Sequence, residues 1–291
     1  MSGPHPTDHL AWHSIAVNGR RVNYGVAGEE SDGLPVLFLH GWGLGSHSYK
    51  RALKRLVQQG CRVYAPALPG FGGTAKLRGR CDLGGYAGWA EGFLDAMGVD
   101  EPVLAVGHSF GGAVATKLAH DFPARVGYLV LIDSVGGATW RTAGGKERSM
   151  AERPLWDWAV NFPRDILFSR SAVATVSAVL EDAVPNFVGN PIGVWQVAEV
   201  ARSANVTQEL QELAERHLPV LVLWGEGDVI IPRASFDAMC DAAGCAGEIV
   251  PGRHSWLLAN PDAFGKVMAK SIDAASAARA ASRYGGQARA G

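Results

Sequence analysis

The segment Gly107-His108-Ser109-Phe110-Gly111-Gly112 has the form G-x-S-x-G. It stands between a short apolar run, Val103 to Val106, and a helical pattern from Phe110 to Phe122. A serine at such a strand-to-helix turn sits on a tight, strained backbone, with glycines where neighbouring chains approach closely. The helix that begins there points its N-terminal amides at the reacting atom. No Gly-Lys-Ser/Thr follows, so the loop does not read as a phosphate cradle.

A serine hydroxyl needs a base to become nucleophilic near neutral pH. Among nine histidines, His254 is the best placed. It lies in Pro251-Gly252-Arg253-His254-Ser255-Trp256, after the last strand pattern and before the last helix pattern. A side chain there overhangs the carboxyl end of a sheet, where Ser109 also stands. His5, His9 and His13 recur every four residues, but in a Pro-containing segment, so we read no metal site there. His40 and His108 adjoin the site loops and are expected to shape them.

The base needs a buried carboxylate to hold one tautomer. Asp228 follows the run Val220 to Trp224 and its Gly-Glu-Gly turn. Two other acids compete. Glu226 is two residues away, and Asp133 ends the strand pattern after the nucleophile helix. Attack on a carbonyl also creates an oxyanion, which needs preorganised N–H donors. The amide of Phe110, directly after the serine, is one. The other is expected from His40-Gly41-Trp42-Gly43, most simply the amide of Trp42.

Alternating elements must position these groups. Ser14 to Val17 and Arg21 to Tyr24 flank Asn18-Gly19, a hairpin signal. Apolar runs at 36–39, 62–65, 103–106 and 128–132 alternate with helical patterns at 46–59, 86–97 and 110–122. Continuous apolar strands between helices imply an α/β fold, a parallel sheet covered on both faces. From about Gly136 to Arg216 the alternation stops, leaving helical pieces and no convincing buried strand. It resumes with a strand at 220–224, a helix at 234–242, a strand at 248–250 and a helix from Pro261. An insertion between strands of one sheet folds most simply as a cap over the strands' carboxyl ends, where open α/β sheets place their sites. The expected organisation is a core of residues 14–135 and 217–275, a cap over 136–216, and a disordered tail over 276–291. Trp140, Trp156, Trp158 and Trp195 from the cap segment, with His40, Gly41 and Trp256, are the candidate pocket residues.

The chain order Ser109, Asp228, His254 and the segments LFLHGWG, ALPGFGGT, VGHSFGG, VLWGEGD and PGRHSW resemble the α/β-hydrolase superfamily over about Ser14 to Ala275. The resemblance implies an eight-stranded, mostly parallel sheet, a helical cap after the sixth strand, and no metal or organic cofactor. Relatives often have Gly directly before the histidine, whereas Arg253 stands here. A serine nucleophile sets the chain apart from the dehalogenase and epoxide-hydrolase branches, which attack with aspartate. The implied activity is hydrolysis of a small to medium uncharged carboxylic ester through an acyl-enzyme. The alternatives are a carbon–carbon hydrolase of vinylogous diketones, a cofactor-free perhydrolase, and a small-molecule receptor on the same fold. The diketone hydrolases frequently carry Asn before the serine, where this chain has His108.

Composition agrees with a small-molecule enzyme. With 27 Lys+Arg against 28 Asp+Glu, the formal net charge is −1, which gives no basic surface for nucleic acid or anionic membrane. The start, MSGPHPTDHLAWHS, lacks the basic and apolar regions of a signal peptide, and no run approaches a membrane span. Cys61, Cys81, Cys240 and Cys245 form no C-x-x-C pair and read as reduced thiols, so a cytoplasmic location is expected.

Overall fold

Asn18 and Gly19 both take positive φ, 50° and 72°, and turn β1 (Ala11–Val17) back onto β2 (Arg20–Ala27). The structure, a computed structural model, describes residues 9–137, 139–141, 147–154, 161 and 172–287. After the hairpin the strands are β3 (Pro35–Leu39), β4 (Arg62–Pro66), β5 (Val103–His108) and β6 (Val126–Ile132). A short hairpin, β7 (Thr139–Arg141) with β8 (Glu147–Ser149), precedes β9 (Val220–Gly225) and β10 (Glu248–Val250). The main sheet has eight strands in the order β1-β2-β4-β3-β5-β6-β9-β10. The β1–β2 and β2–β4 pairs are antiparallel, and the rest are parallel.

The order reverses at β3, which lies between β4 and β5. A crevice opens at the carboxyl ends of strands at such a switch point. The loops after β3 and β5 both empty into it, carrying Gly41-Trp42 and Ser109.

Among the described residues the helices with stated bounds are α1 (Lys50–Val57), α2 (Leu83–Ala96), α3 (Phe110–Asp121), α4 (Ala172–Gly189), α5 (Pro191–Ser203), α6 (Thr207–Glu215), α7 (Arg233–Ala243), the single turn α8 (Trp256–Ala259) and α9 (Pro261–Gln287). Alternate residues of each buried strand serve opposite layers. On β3, Leu37 and Leu39 join the apolar cluster of α2 and α3, while Val36 and Phe38 join that of α1 and α9. Among the described residues no helix is long and apolar enough to cross a membrane.

Three expectations change. The 136–216 segment is not wholly cap. α6 packs on α3 and α7 in the core layer, with Glu209 on Lys117 and Glu212 on His120. Its chain enters and leaves the insertion side by side, where Gly136 and Gly137 bridge to Asn205. The insertion between β6 and β9 therefore gives way to the core layer at Thr207, not at Arg216. It also contains the β7–β8 hairpin, too short for a visible alternation. The tail does not fray at 276. α9 continues to Gln287, and Arg279 bonds both Glu101 (2.6 Å) and the Asp32 carbonyl (2.7 Å).

Candidate active site

The turn after β5 holds Ser109 at φ 53° and ψ −118°, a conformation that costs an ordinary L residue about 1–3 kcal/mol. The surroundings over-determine it. Its N–H donates to the Ile132 carbonyl at 2.9 Å, and its carbonyl accepts from Gly112 at 3.0 Å and Val135 at 3.2 Å. A Cβ at Gly107 would lie 2.4 Å from the Gly111 oxygen, and one at Gly111 would lie 2.2 Å from the Leu39 oxygen. Only hydrogen fits at either position. Phe110 opens α3, so its N–H is among those a helix N-terminus leaves for an outside acceptor.

His254 and Asp228 meet because their loops are laced together. Glu226 N–H donates to the Val250 carbonyl at 2.9 Å and Gly227 N–H to the Gly252 carbonyl at 2.7 Å. The imidazole Nδ1 then bonds Asp228 Oδ2 at 2.8 Å, with both side chains buried. Asp228 Oδ1 accepts from Ile230 N–H at 2.7 Å and Ile231 N–H at 2.9 Å. Both Asp228 oxygens are thus engaged.

Asp133, the competing acid, lies beside this pair. One of its oxygens, one of Asp228 and a ring nitrogen of His254 all lie within 4.8 Å of one another. Asp133 Oδ1 is engaged by Gly225 N–H at 2.6 Å. Burial, then the neighbouring Asp228 charge, pushes its pKa well above the usual carboxylate range. That direction favours a neutral Asp133, and Asp228 is the carboxyl hydrogen-bonded to His254. Glu226 bends away into solvent.

Ser109, His254, Gly41, Trp42, Leu44, Tyr49, His108 and Ile230 line one cleft. His40 does not line it. Its Nε2 accepts from Leu68 N–H at 2.8 Å, so Nδ1 carries the proton and donates to the Gly41 carbonyl at 2.8 Å. The Gly41–Trp42 peptide is planar and trans, so gripping its carbonyl sets where the Trp42 N–H points. Trp256 also lies outside the cleft. It begins α8 and turns down into the apolar layer against Phe264. Trp195 is partly exposed on the cap, 6.1 Å from the Trp42 ring. Trp140 lies in β7 but its side chain, like Trp156 and Trp158, falls outside the described residues. Leu44, Tyr49 and Ile230 were not foreseen, since apolar and aromatic residues near a motif carry no chemical signature.

A polar stripe on α4, continued by Asn190 just past its end, ties that helix to the loops around this cleft. Asp182 accepts from Ser48 N–H (2.8 Å), Ser48 Oγ–H (2.6 Å) and Gly45 N–H (3.1 Å). Buried Asn186 accepts from Gly72 N–H at 2.9 Å and donates to the Gly43 carbonyl at 3.0 Å. Asn190 donates to the Gly70 carbonyl at 3.2 Å. On α5, the Val194 carbonyl accepts from the Trp42 indole at 2.7 Å.

The buried histidines give a testable pH dependence. Burial pushes His40 down to about 4 and, with the His254 charge adding to it, puts His108 well below its usual range. Both are neutral in the folded chain near neutral pH, whereas the unfolded chain protonates them below about 6.5. The unfolded state thus binds more protons as pH falls from about 6.5 towards 4. Stability falls through that window by up to about 1.4 kcal/mol per pH unit for each ring. Asp133 works in the opposite sense, because the folded chain keeps a proton that the unfolded one releases above about 3.9. Urea unfolding at pH 7 and pH 5 should show a loss that His40→Gln flattens and Asp133→Asn steepens. Equal losses in all three chains would contradict this account.

Comparisons with known proteins identify the family. An uncharacterised protein of Mycobacterium tuberculosis is 30% identical over 236 residues, 74% of this chain and 67% of that one. A 2-hydroxy-6-oxononadienedioate/2-hydroxy-6-oxononatrienedioate hydrolase of a Pseudomonas species is 26% identical over 208 residues, 68% of this chain and 72% of that one. The solved structure of a thermophilic esterase from Thermogutta terrifontis superposes with a TM-score of 0.72 at 22% identity, covering 91% of this chain and 99% of that one. The sequence model of the alpha/beta hydrolase family matches residues 36–267, and with the eight-stranded sheet and the elbow at Ser109 the chain belongs to that family.

Proposed function

We propose that the chain is a serine hydrolase of small to medium uncharged carboxylic esters, acting through an acyl-enzyme. The observation that carries this reading is the 2.8 Å bond from His254 Nδ1 to Asp228, beside a Ser109 held at φ 53°. With Nδ1–H held by Asp228, Nε2 is left to accept the Ser109 proton. Ser109 Oγ attacks the acyl carbon as that proton moves to His254. The carbonyl oxygen becomes an oxyanion facing the Phe110 and Trp42 amides. Collapse expels the alcohol, which takes the proton from His254. Water, deprotonated by His254, then frees the acid and restores Ser109.

The cleft's apolar lining, Leu44 and Ile230 beside Trp42, favours an uncharged substrate. The α4 stripe argues for a fixed cap over a mobile lid. Each acyl methylene buried is worth about 0.8 kcal/mol. Across p-nitrophenyl esters, kcat/KM should rise about three- to fourfold per carbon, peak between about C2 and C6, then fall. An optimum at long chains with activation at an oil–water interface would contradict the fixed cap. The carbon–carbon hydrolase relative supports a second reading. A vinylogous diketone turned over much faster than every ester in the series would favour it.

A further inference from the structure

Two residues with no place in the reaction scheme form a buried chain of hydrogen bonds beneath Ser109. His108 Nε2 lies 3.0 Å from the carbonyl of His254. A carbonyl can only accept, so Nε2 carries the proton and donates. His108 Nδ1 must then be an acceptor, and its partner is the Tyr49 hydroxyl at 2.8 Å. Tyr49, having donated its only proton, still has a lone pair, and it accepts from the Gly41 N–H at 3.2 Å. Every donor and acceptor role in the chain is thus fixed, with both side chains buried. Its ends are the two loops that must agree in position: Gly41, one residue before the oxyanion donor Trp42, and the backbone of His254. A Cβ at Gly41 would lie 3.0 Å from His108 Nδ1 and 3.2 Å from both the Tyr49 oxygen and the Ser109 Cβ, so a side chain there would press on all three.

We propose that Tyr49 and His108 are positioning residues that tie the oxyanion loop to the base loop, so that both stay in register with Ser109. The residue before the nucleophile thereby links the two loops that flank Ser109. Tyr49 is itself placed by the cap, since Asp182 holds Ser48 on the same 3-10 turn, Ser46–Tyr49. This inference rests on the serine-hydrolase reading above.

The test compares wild type, Tyr49→Phe, His108→Ala and the double variant on p-nitrophenyl acetate. Rates are expressed per Ser109 titrated with an organophosphate, so misfolded protein does not count. Tyr49→Phe should lower kcat about tenfold with KM within about twofold, because alignment in the transition state suffers and ground-state binding does not. The double variant should be no slower than His108→Ala alone, because each single change already breaks the same chain. Independent, multiplying losses would overturn the tie. So would a raised KM with unchanged kcat, which would make Tyr49 a substrate contact instead. A readout free of activity is the ¹⁵N NMR signature of His108 in the full chain. It should show a protonated Nε2 and an unprotonated Nδ1 from pH 6 to 8, and a protonated Nδ1 would refute the wiring. Wild type that takes no organophosphate at Ser109 would defeat the serine-hydrolase reading, while the tautomer would still be read directly.

Discussion

Replacing His254 by alanine lowers kcat for p-nitrophenyl acetate by at least about 10³-fold, because the general base is gone. Asp228→Asn has a comparable effect, about 10⁴-fold, for a different reason. An amide at 228 no longer favours the Nδ1–H tautomer, so Nε2 is no longer reliably the acceptor. The fold should persist in both variants, since the Ile230 and Ile231 amides still find an oxygen at residue 228. Asp133→Asn should cost less than about tenfold, because an amide can replace a carboxyl that is already neutral and still accept from Gly225. Steady-state kinetics on the three variants, with circular dichroism to check folding, decides the matter. An Asp133→Asn chain as damaged as His254→Ala, with a nearly unimpaired Asp228→Asn chain, would assign the orienting acid to Asp133.

The elements that hold these groups were legible because each announces itself locally. Val36 to Leu39 and Val103 to Val106 are apolar on both faces, as strands between two helix layers must be. Gly107 and Gly111 bracket Ser109 at a spacing that only a tight, crowded turn requires. The loops of Asp228 and His254 could be placed above the sheet because each follows a strand pattern directly.

What escaped the sequence depends on contacts between distant segments. Asp182 and Asn186 on α4 and Asn190 just past its end recur every four residues, a pattern as consistent with a solvated stripe as with a fastening. Only the orientation of the helix decides, and Val184 and Val188 face solvent while Asn186 is buried. Tyr49 and His108 are 59 residues apart and share no motif. Trp256 was expected in the pocket because it adjoins His254, but the α8 turn rotates it into the core. The tail is Ala-rich with few large apolar residues, so its anchorage rests on Arg279, whose partners Asp32 and Glu101 lie far back in the chain. The loop His40-Gly41-Trp42-Gly43 was foreseen as Gly-rich and His40 as shaping it, but the grip on the Gly41 carbonyl depends on Leu68, 28 residues away, holding the other ring nitrogen.

The largest effect of all is expected at the nucleophile. The strained turn, the crowded glycines and the laced Asp228–His254 loops have a common consequence only if Ser109 forms the covalent intermediate. Intact-protein and peptide mass spectrometry after treatment with a serine-directed organophosphate tests this most directly. One adduct is expected, on the peptide containing Ser109, with loss of ester turnover in proportion to labelling. Ser109→Ala should show neither label nor measurable turnover. A label that persists in Ser109→Ala, or full turnover by that variant, would contradict it.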